Sequence, residues 1–425
     1  MEVSINAISE VLQEADIRVT NEELQPHFEQ AYKEQRAKVE LKGFRKGKAP
    51  MAMIKSLYGE AIEQGTLDSV ASEFYRQAMI EQNVHPIGQP TMIDMDFKRG
   101  EAFRFKIKYE VRPSITLNKY KGIAVEKPIH KVTEDDIEAE VQHLRRINSS
   151  TSNVDSVTDD NHIVTADVQE LDHTGTPLVG RRTPNAKFDL SDTSLLQEIK
   201  DCLRNGRIGE NYRAKFKTMQ GNHAHSTHIS IKVNKIEKVT LPPFDEALVK
   251  KVTDNKVLTT EDFLKTIRSN LEQYWAEQSD RKLSEAITAE VIRNHNFTVP
   301  QTLVNGILDT LIDDLKNKSK DRKLPRELDE QQLRNDSRAL AIYQAKWILL
   351  KERIAEAESI TVTDEEIEKL AESEGARTGI EKGRLLEYLK NSNAATERLL
   401  SEKIMSFLKS NATMTEKVVT EKLIA

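Results

Sequence analysis

The octapeptide Gly43-Phe44-Arg45-Lys46-Gly47-Lys48-Ala49-Pro50 sets one aromatic ring among cations on a segment that glycine and proline keep out of helix. Glycines at 43 and 47 permit positive φ. Pro50 disfavours helix at Ala49 and suits the first turn of a helix that begins just after it. From Arg36 to Lys48 there are six Lys or Arg against Glu40 alone, although the whole chain carries a net charge of -6. The chemistry on offer is recognition: charge-assisted bonds to an anionic surface with a slot for a ring, for which structured RNA is the matching partner. A solvated charged loop has the same composition, but the placement of Gly, Phe and Pro favours a docking tip.

Other chemistry-bearing residues combine less well. His223, His225 and His228 are close in sequence, yet the run from Gly221 to Ser226 reads as a polar turn with no cysteine nearby, so no metal site is expected. Cys202 is the single cysteine, which excludes an intrachain disulfide and a cysteine-based zinc site. No G-x-x-x-x-G-K-[ST] motif and no compact nucleophile–base set occurs, so neither a nucleotide cofactor nor a hydrolase or transferase site is expected.

The elements that must carry the tip belong to a chain of 425 residues, 38% hydrophobic and 31% charged, long enough for two to four domains. No run approaches the ~20 apolar residues of a membrane span, and Met1-Glu2-Val3-Ser4 lacks a signal-peptide pattern, so a cytoplasmic protein without membrane contact is expected. Residues 2–19 read as a strand pair, and Thr20 with Glu23 as a capping box opening a helix. Ile54, Leu57, Ile62, Val70, Phe74 and Ala78 recur at helical spacing over 51–82, and Phe103, Phe105, Ile107 and Tyr109 alternate as a strand. Pro113 and Pro128 bracket an extended linker. Thr133 with Asp136 caps a helix whose apolar stripe is Ile137, Val141 and Leu144. Residues 149–161 are polar and unpatterned, marking a boundary before a short β-rich domain. After Leu241-Pro242-Pro243 the pattern is almost wholly helical, with capping spacings at Thr259/Asp262 and Thr363/Glu366. Three stripes follow there: Phe263, Ile267, Leu271, Tyr274; Leu303, Ile307, Leu311; and Leu340, Tyr343, Trp347, Leu350, Ile354. Trp275 and Trp347 sit at helical spacing as core residues, or else line a groove.

The segment Gly43-Phe44-Arg45-Lys46-Gly47 followed by Pro50 resembles the docking motif of the trigger factor family, bacterial ribosome-associated chaperones. The likeness extends through Leu57-Tyr58-Gly59 and His85-Pro86-Ile87-Gly88-Gln89-Pro90 to Val125-Glu126-Lys127-Pro128; over roughly the first 147 residues it is close, and beyond them it is one of layout. It implies that Phe44, Arg45 and Lys46 grip the ribosome beside the exit tunnel, touching a ribosomal protein and rRNA. It also implies a multidomain α+β fold: an α+β ribosome-binding domain over 1–112, a linker and helix over 113–149 packing with the C-terminal domain, a small FKBP-like β-rich domain over 150–240, and an all-helical chaperone domain over 241–425. In the FKBP-like peptidyl-prolyl isomerase domain an aromatic cup binds the twisted X-Pro amide, whose barrier is ~20 kcal/mol. Here Asp167 is kept, Val168 and Leu178 stand where rings are expected, and Gln197-Glu198-Ile199 replaces Pro-Gly-Phe, so the site reads as eroded with no catalytic residue assigned. Gly209-Glu210 still marks the following turn, residues 218–222 supply no ring, and Phe188, Tyr212 and Phe216 are the rings left to rebuild a pocket.

The expected activity is ATP-independent chaperoning of nascent or unfolded polypeptides at the tunnel exit, assisting folding and export, with weak self-association. Some of Ile307, Leu311, Leu340, Tyr343, Leu350 and Ile354 are expected to remain accessible on a concave face as the client-binding surface. The alternatives are a proline isomerase delivered to nascent chains and an RNA-binding structural protein.

Overall fold

The computed structural model describes every residue except 42–43, 221–222, 320, 326–327, 392 and 420–425. In chain order the elements are β1 (Glu2–Ala7), β2 (Leu12–Val19), α1 (Asn21–Lys38), α2 (Met51–Glu81), β3 (Pro86–Asp96), β4 (Phe103–Val111), β5 (Ala124–Ile129) and α3 (Glu134–Ile147). The middle of the chain forms β6 (Ser150–Val154), β7 (His162–Leu171), β8 (Pro177–Asp189), α4 (Gln197–Leu203), β9 (Asn211–Gln220) and β10 (His223–Thr240). The remainder is α5 (Glu246–Val252), α6 (Thr260–Arg293), α7 (Gln301–Lys318), α8 (Glu330–Glu358), α9 (Asp364–Thr378), α10 (Lys382–Lys390), α11 (Asn393–Ser410) and β11 (Thr413–Val418). These form two compact units, Met1–Glu126 with Lys282–Thr415, and Lys127–Arg281 with the chain from Glu416 on.

The first unit contains two apolar cores. In its N-terminal part the antiparallel sheet runs β1-β2-β4-β3, with Ile17 opposite Phe105 and Ala15 opposite Ile107. Strand alternation turns Phe103, Phe105, Ile107 and Tyr109 onto Leu24, Phe28 and Tyr32 of α1 and Leu67, Val70, Ala71 and Phe74 of α2. The other face is charged: Asp16 pairs with Arg104, and Lys106 lies 3.8 Å from Glu14. Thr20 and Glu23 close the capping box that starts α1. β3 escapes the period-2 pattern because it is an edge strand with two register shifts, so most of its side chains meet solvent.

The second core of this unit is helical. Ile115, Ile123 and Val125 of the proline-bracketed linker are buried in it among Ile287 and Val291 of α6, Val304 and Leu308 of α7, Ala341, Ala345, Leu349, Leu350 and Ile354 of α8, and Ile404 and Leu408 of α11. The linker is therefore extended, and its apolar residues are core. The expected stripes on α7 and α8 are shifted in phase: Val304, Leu308 and Ile312 are buried rather than Leu303, Ile307 and Leu311, and Ala341, Ala345 and Leu349 rather than Leu340, Tyr343 and Trp347. Small alanines let the helix backbones approach, which carries the larger neighbours toward the rim.

In the second unit the antiparallel sheet runs β6-β10-β7-β8, with β9 also on β10. Val164, Ala166, Ile231, Val233 and Ile236 pack with Leu190, Ile199 and Leu203. The polar stretch 149–161, expected as a boundary, contributes β6, whose Val154 pairs with Ile236. As an edge strand it has one neighbour and needs no alternating pattern. A separate cluster packs Ile137 and Val141 of α3 against Val249 of α5 and Phe263, Ile267, Leu271 and Trp275 of α6. Trp275, not Tyr274, completes that stripe, and Tyr274 is exposed.

Candidate functional site

The 39–50 segment is a shaped loop. Phe44 N–H donates to Leu41 O at 2.9 Å and Lys48 N–H to Arg45 O at 2.9 Å, closing a turn whose third residue, Gly47, has φ +78°. Positive φ at that position of a type II turn is what glycine supplies without strain. Ala49 is buried, and the Pro50 carbonyl accepts from Met53 N at 3.1 Å and Ile54 N at 3.2 Å, so the loop's far end is the N-cap of α2. Between these anchors Phe44 is 41% exposed and Arg45 and Lys46 are exposed; Lys46 Nζ lies 3.9 Å from Glu40 in a solvent-facing pair. Gly43 lies outside the described residues.

Beneath the loop, α1 and α2 are braced by a buried polar network that the sequence pattern did not reveal. Glu63, 6% exposed, accepts from the Tyr32 hydroxyl, and Arg99 Nε lies 3.1 Å from its other oxygen. Burial, reinforced by Glu63, pushes the Tyr32 phenol up to about 12. Gly59 makes room for this arrangement: a Cβ there would sit 2.7 Å from Arg99 Nη2. Met53 and Leu57, one turn apart on α2, are exposed close in sequence to the loop; their i, i+4 spacing was the available signal.

In the β-rich part Asp167 is a structural centre. It accepts from Asn185 N at 2.9 Å, Arg182 Nη2 at 2.8 Å and Asn234 Nδ2 at 3.0 Å. The Asn185 bond, followed by Arg182, holds its carboxyl below the usual range. These bonds pin the register shift of β8 at Asn185, which has φ +52°. Val168 is half-buried against the core, Ile199 is buried within it, and Leu178 is at the surface, so the three replacements do not share one cup. Phe188, Tyr212 and Phe216 all pack against the same core. The Tyr212 hydroxyl donates to Glu210 and accepts from Arg207 N at 3.0 Å. Cys202 donates its thiol to Arg213 O at 3.3 Å, and burial raises its pKa. No group of three or more potential metal ligands forms among the described residues; the side chains of His223 and His225 are outside them.

Between α7 and α8 lies an apolar cleft of about 230 Å³ lined by Leu308, Leu311, Ile312, Leu315, Leu333 and Leu340. Leu340 is 50% and Tyr343 37% exposed, while Leu311 and Ile307 are half-buried. The expectation of accessibility fails at Leu350 and Ile354, which are fully buried because α8 turns them into the helical core. Trp347 is half-buried against that core, and Trp275 is buried, stacked on His130 with ring centroids 4.1 Å apart.

Residues 1–144 match the family model described as bacterial trigger factor protein, and residues 259–410 match that of the trigger factor C-terminus, together most of the chain. The chain belongs to the trigger factor family. Trigger factor of Salinibacter ruber is 26% identical over 417 residues, covering 94% of this chain and 90% of that one. The relative in Chloroherpeton thalassium is 29% identical over 384 residues, covering 90% and 89%. A solved trigger factor chaperone, reported for "Promiscuous Substrate Recognition in Folding and Assembly Activities", shares the fold with a TM-score of 0.52 at 18% identity, over 96% of this chain and 99% of that one. Membership makes this trigger factor relative a ribosome-associated chaperone of nascent chains, and an isomerase-type domain is part of that family. Among the described residues no helix is long and apolar enough to cross a membrane.

Proposed function

We propose that this chaperone docks through Phe44, Arg45 and Lys46 onto a ribosomal protein and rRNA at the exit tunnel, and holds clients on the α7–α8 cleft. The observation that carries the reading is the tip itself: a half-exposed ring flanked by two exposed cations on a turn anchored at Ala49 and Pro50. Phosphate oxygens and carboxylates suit the cations, and a groove between ribosomal protein and RNA suits the ring. Gly47 and Pro50 shape the turn, and Gly43 is assigned to it from the motif. Clients meet Leu311 and Leu340 at the cleft, and Tyr343 elsewhere on α8, through shallow contacts that release without ATP. Residues 1–112 serve as the docking module, 150–240 as an FKBP-like module with an eroded cup, and the helical remainder as the client-holding module, with weak self-association when off the ribosome and a cytoplasmic site of action. Co-sedimentation with ribosomes tests the docking assignment, and the Phe44→Ala, Arg45→Ala, Lys46→Ala triple variant should stay in the supernatant.

A second reading makes the chain an active proline isomerase, favoured by the three rings Phe188, Tyr212 and Phe216 on one core. Catalysis of a short X-Pro peptide at the rate of an intact FKBP-type enzyme would establish it.

A further inference from the structure

We propose that the N-terminal domain and the helical core of the first unit are joined by a polar latch that opens and closes, with Glu110 seated on the N-terminus of α7. α7 starts after Pro300, which offers no side-chain cap, so its first N–H groups need acceptors from elsewhere. They find them across the domain joint: Gln301 N–H donates to Glu110 Oε1 at 2.9 Å and Thr302 N–H to Glu110 Oε2 at 2.7 Å. One carboxylate thus fills the capping role in trans and meets the positive end of the helix dipole. Three further contacts surround it. Thr298 N–H donates to Glu10 at 3.3 Å, and Arg112 pairs with Glu352 at 2.5 Å. Gly88, at φ +73°, approaches Thr302 so closely that a Cβ would lie 2.8 Å from its Oγ1 and nearer still to Cγ2.

The joint is built to separate. The apolar core of the N-terminal domain and the helical core share no residue, and the contacts just named between them are polar apart from Gly88 on Thr302. Opening the latch therefore exposes little apolar surface and returns one carboxylate and a few N–H groups to water, a small free-energy change compared with unfolding either core. α7 gives the latch its consequence. Its first turn is held by Glu110, and its later turns carry Leu308, Leu311, Ile312 and Leu315 of the apolar cleft. Closing the latch sets the distance from the N-terminal domain to the cleft; opening it lets that distance vary while both cores stay folded. This inference holds whichever residues dock.

Paired spin labels test it on the full chain, at Gln77→Cys on α2 and Glu387→Cys on α10, both exposed, in a Cys202→Ser background. With native latch residues one dominant distance is expected. Glu110→Lys, which sets a cation against the helix N-terminus, should shrink that population at least threefold, and so should Glu110→Ala, which removes both acceptors without adding a charge. A broad distribution with native latch residues overturns the proposal, as does an unaltered one in Glu110→Lys. If Glu110→Lys loses the near-ultraviolet circular dichroism of the folded protein, Glu110→Ala decides alone, and an unaltered distribution in it overturns the proposal.

Discussion

Replacing Phe44, Arg45 and Lys46 together by alanine is expected to weaken ribosome binding by roughly 30- to 150-fold, that is by about 2–3 kcal/mol. The figure is built from the loop. Phe44 is 41% exposed, and full burial of a phenylalanine is worth about 2.5 kcal/mol, so covering the remaining ring contributes about 1 kcal/mol. Each cation, if it gives up one phosphate or carboxylate contact at a partly wet rim, contributes about 1 kcal/mol more at most. Lys46 does not have to abandon a strong partner, since its 3.9 Å pair with Glu40 is exposed on both sides. Stability should change by about 1.5 kcal/mol at most, from the part of the Phe44 ring that is already covered, because none of the three side chains belongs to a core. The assay is pelleting with ribosomes across a salt series. Loss of two phosphate contacts should flatten the slope of log affinity against log salt by about 1.5. A variant that pellets like the native chain with the same slope refutes the docking assignment. A variant with lower affinity but unchanged slope refutes the role of Arg45 and Lys46 and leaves Phe44.

The full chain should accelerate cis–trans exchange of a short X-Pro peptide far less than an intact FKBP-type enzyme, because Val168, Leu178 and Ile199 supply no common ring-walled cup; comparable catalysis would defeat this reading. Leu340→Ser should cost about 1 kcal/mol of stability at most yet weaken suppression of client aggregation, whereas Leu350→Ala should cost about 2–5 kcal/mol, and equal protection by Leu340→Ser would remove the cleft from client binding. Tyr32 is held neutral up to about 12, above its ordinary value near 10, so the stabilisation it gives is complete below about pH 10 and disappears as pH rises from about 10 to about 12. An alkaline titration followed by near-ultraviolet circular dichroism should show that loss, and Tyr32→Phe should lack it; identical profiles for the two would break the argument.

The sequence by itself determined what depends on neighbours along the chain. The capping boxes of Thr20 with Glu23, Thr133 with Asp136 and Thr363 with Glu366 form because a hydroxyl and a carboxylate three residues apart satisfy each other's nearest backbone N–H groups wherever the helix sits. The turn at 45–48 was legible for the same reason: Gly47 admits a positive φ and Pro50 fixes its own φ, whatever surrounds them. Alternation likewise placed Phe103, Phe105, Ile107 and Tyr109 on one face of β4. Tertiary structure decided everything that needs a partner far away. The edge strands β3 and β6 exist because β4 and β10 pair with them, and their own residues lack an alternating pattern. The phase of α8 was set by Ala341 and Ala345, since close approach of helices rewards small residues, while hydropathy ranks Leu340, Tyr343 and Trp347 above them; Leu350 and Ile354 were thereby turned into core and Leu340 left at a cleft. Glu63 and Glu110 read as two more surface acids among many until folding brings Tyr32 and Arg99 to one and the bare N-terminus of α7 to the other. A charge declares its role in the sequence only when its partner lies within a turn; when the partner lies tens or hundreds of residues away, only the folded chain shows it.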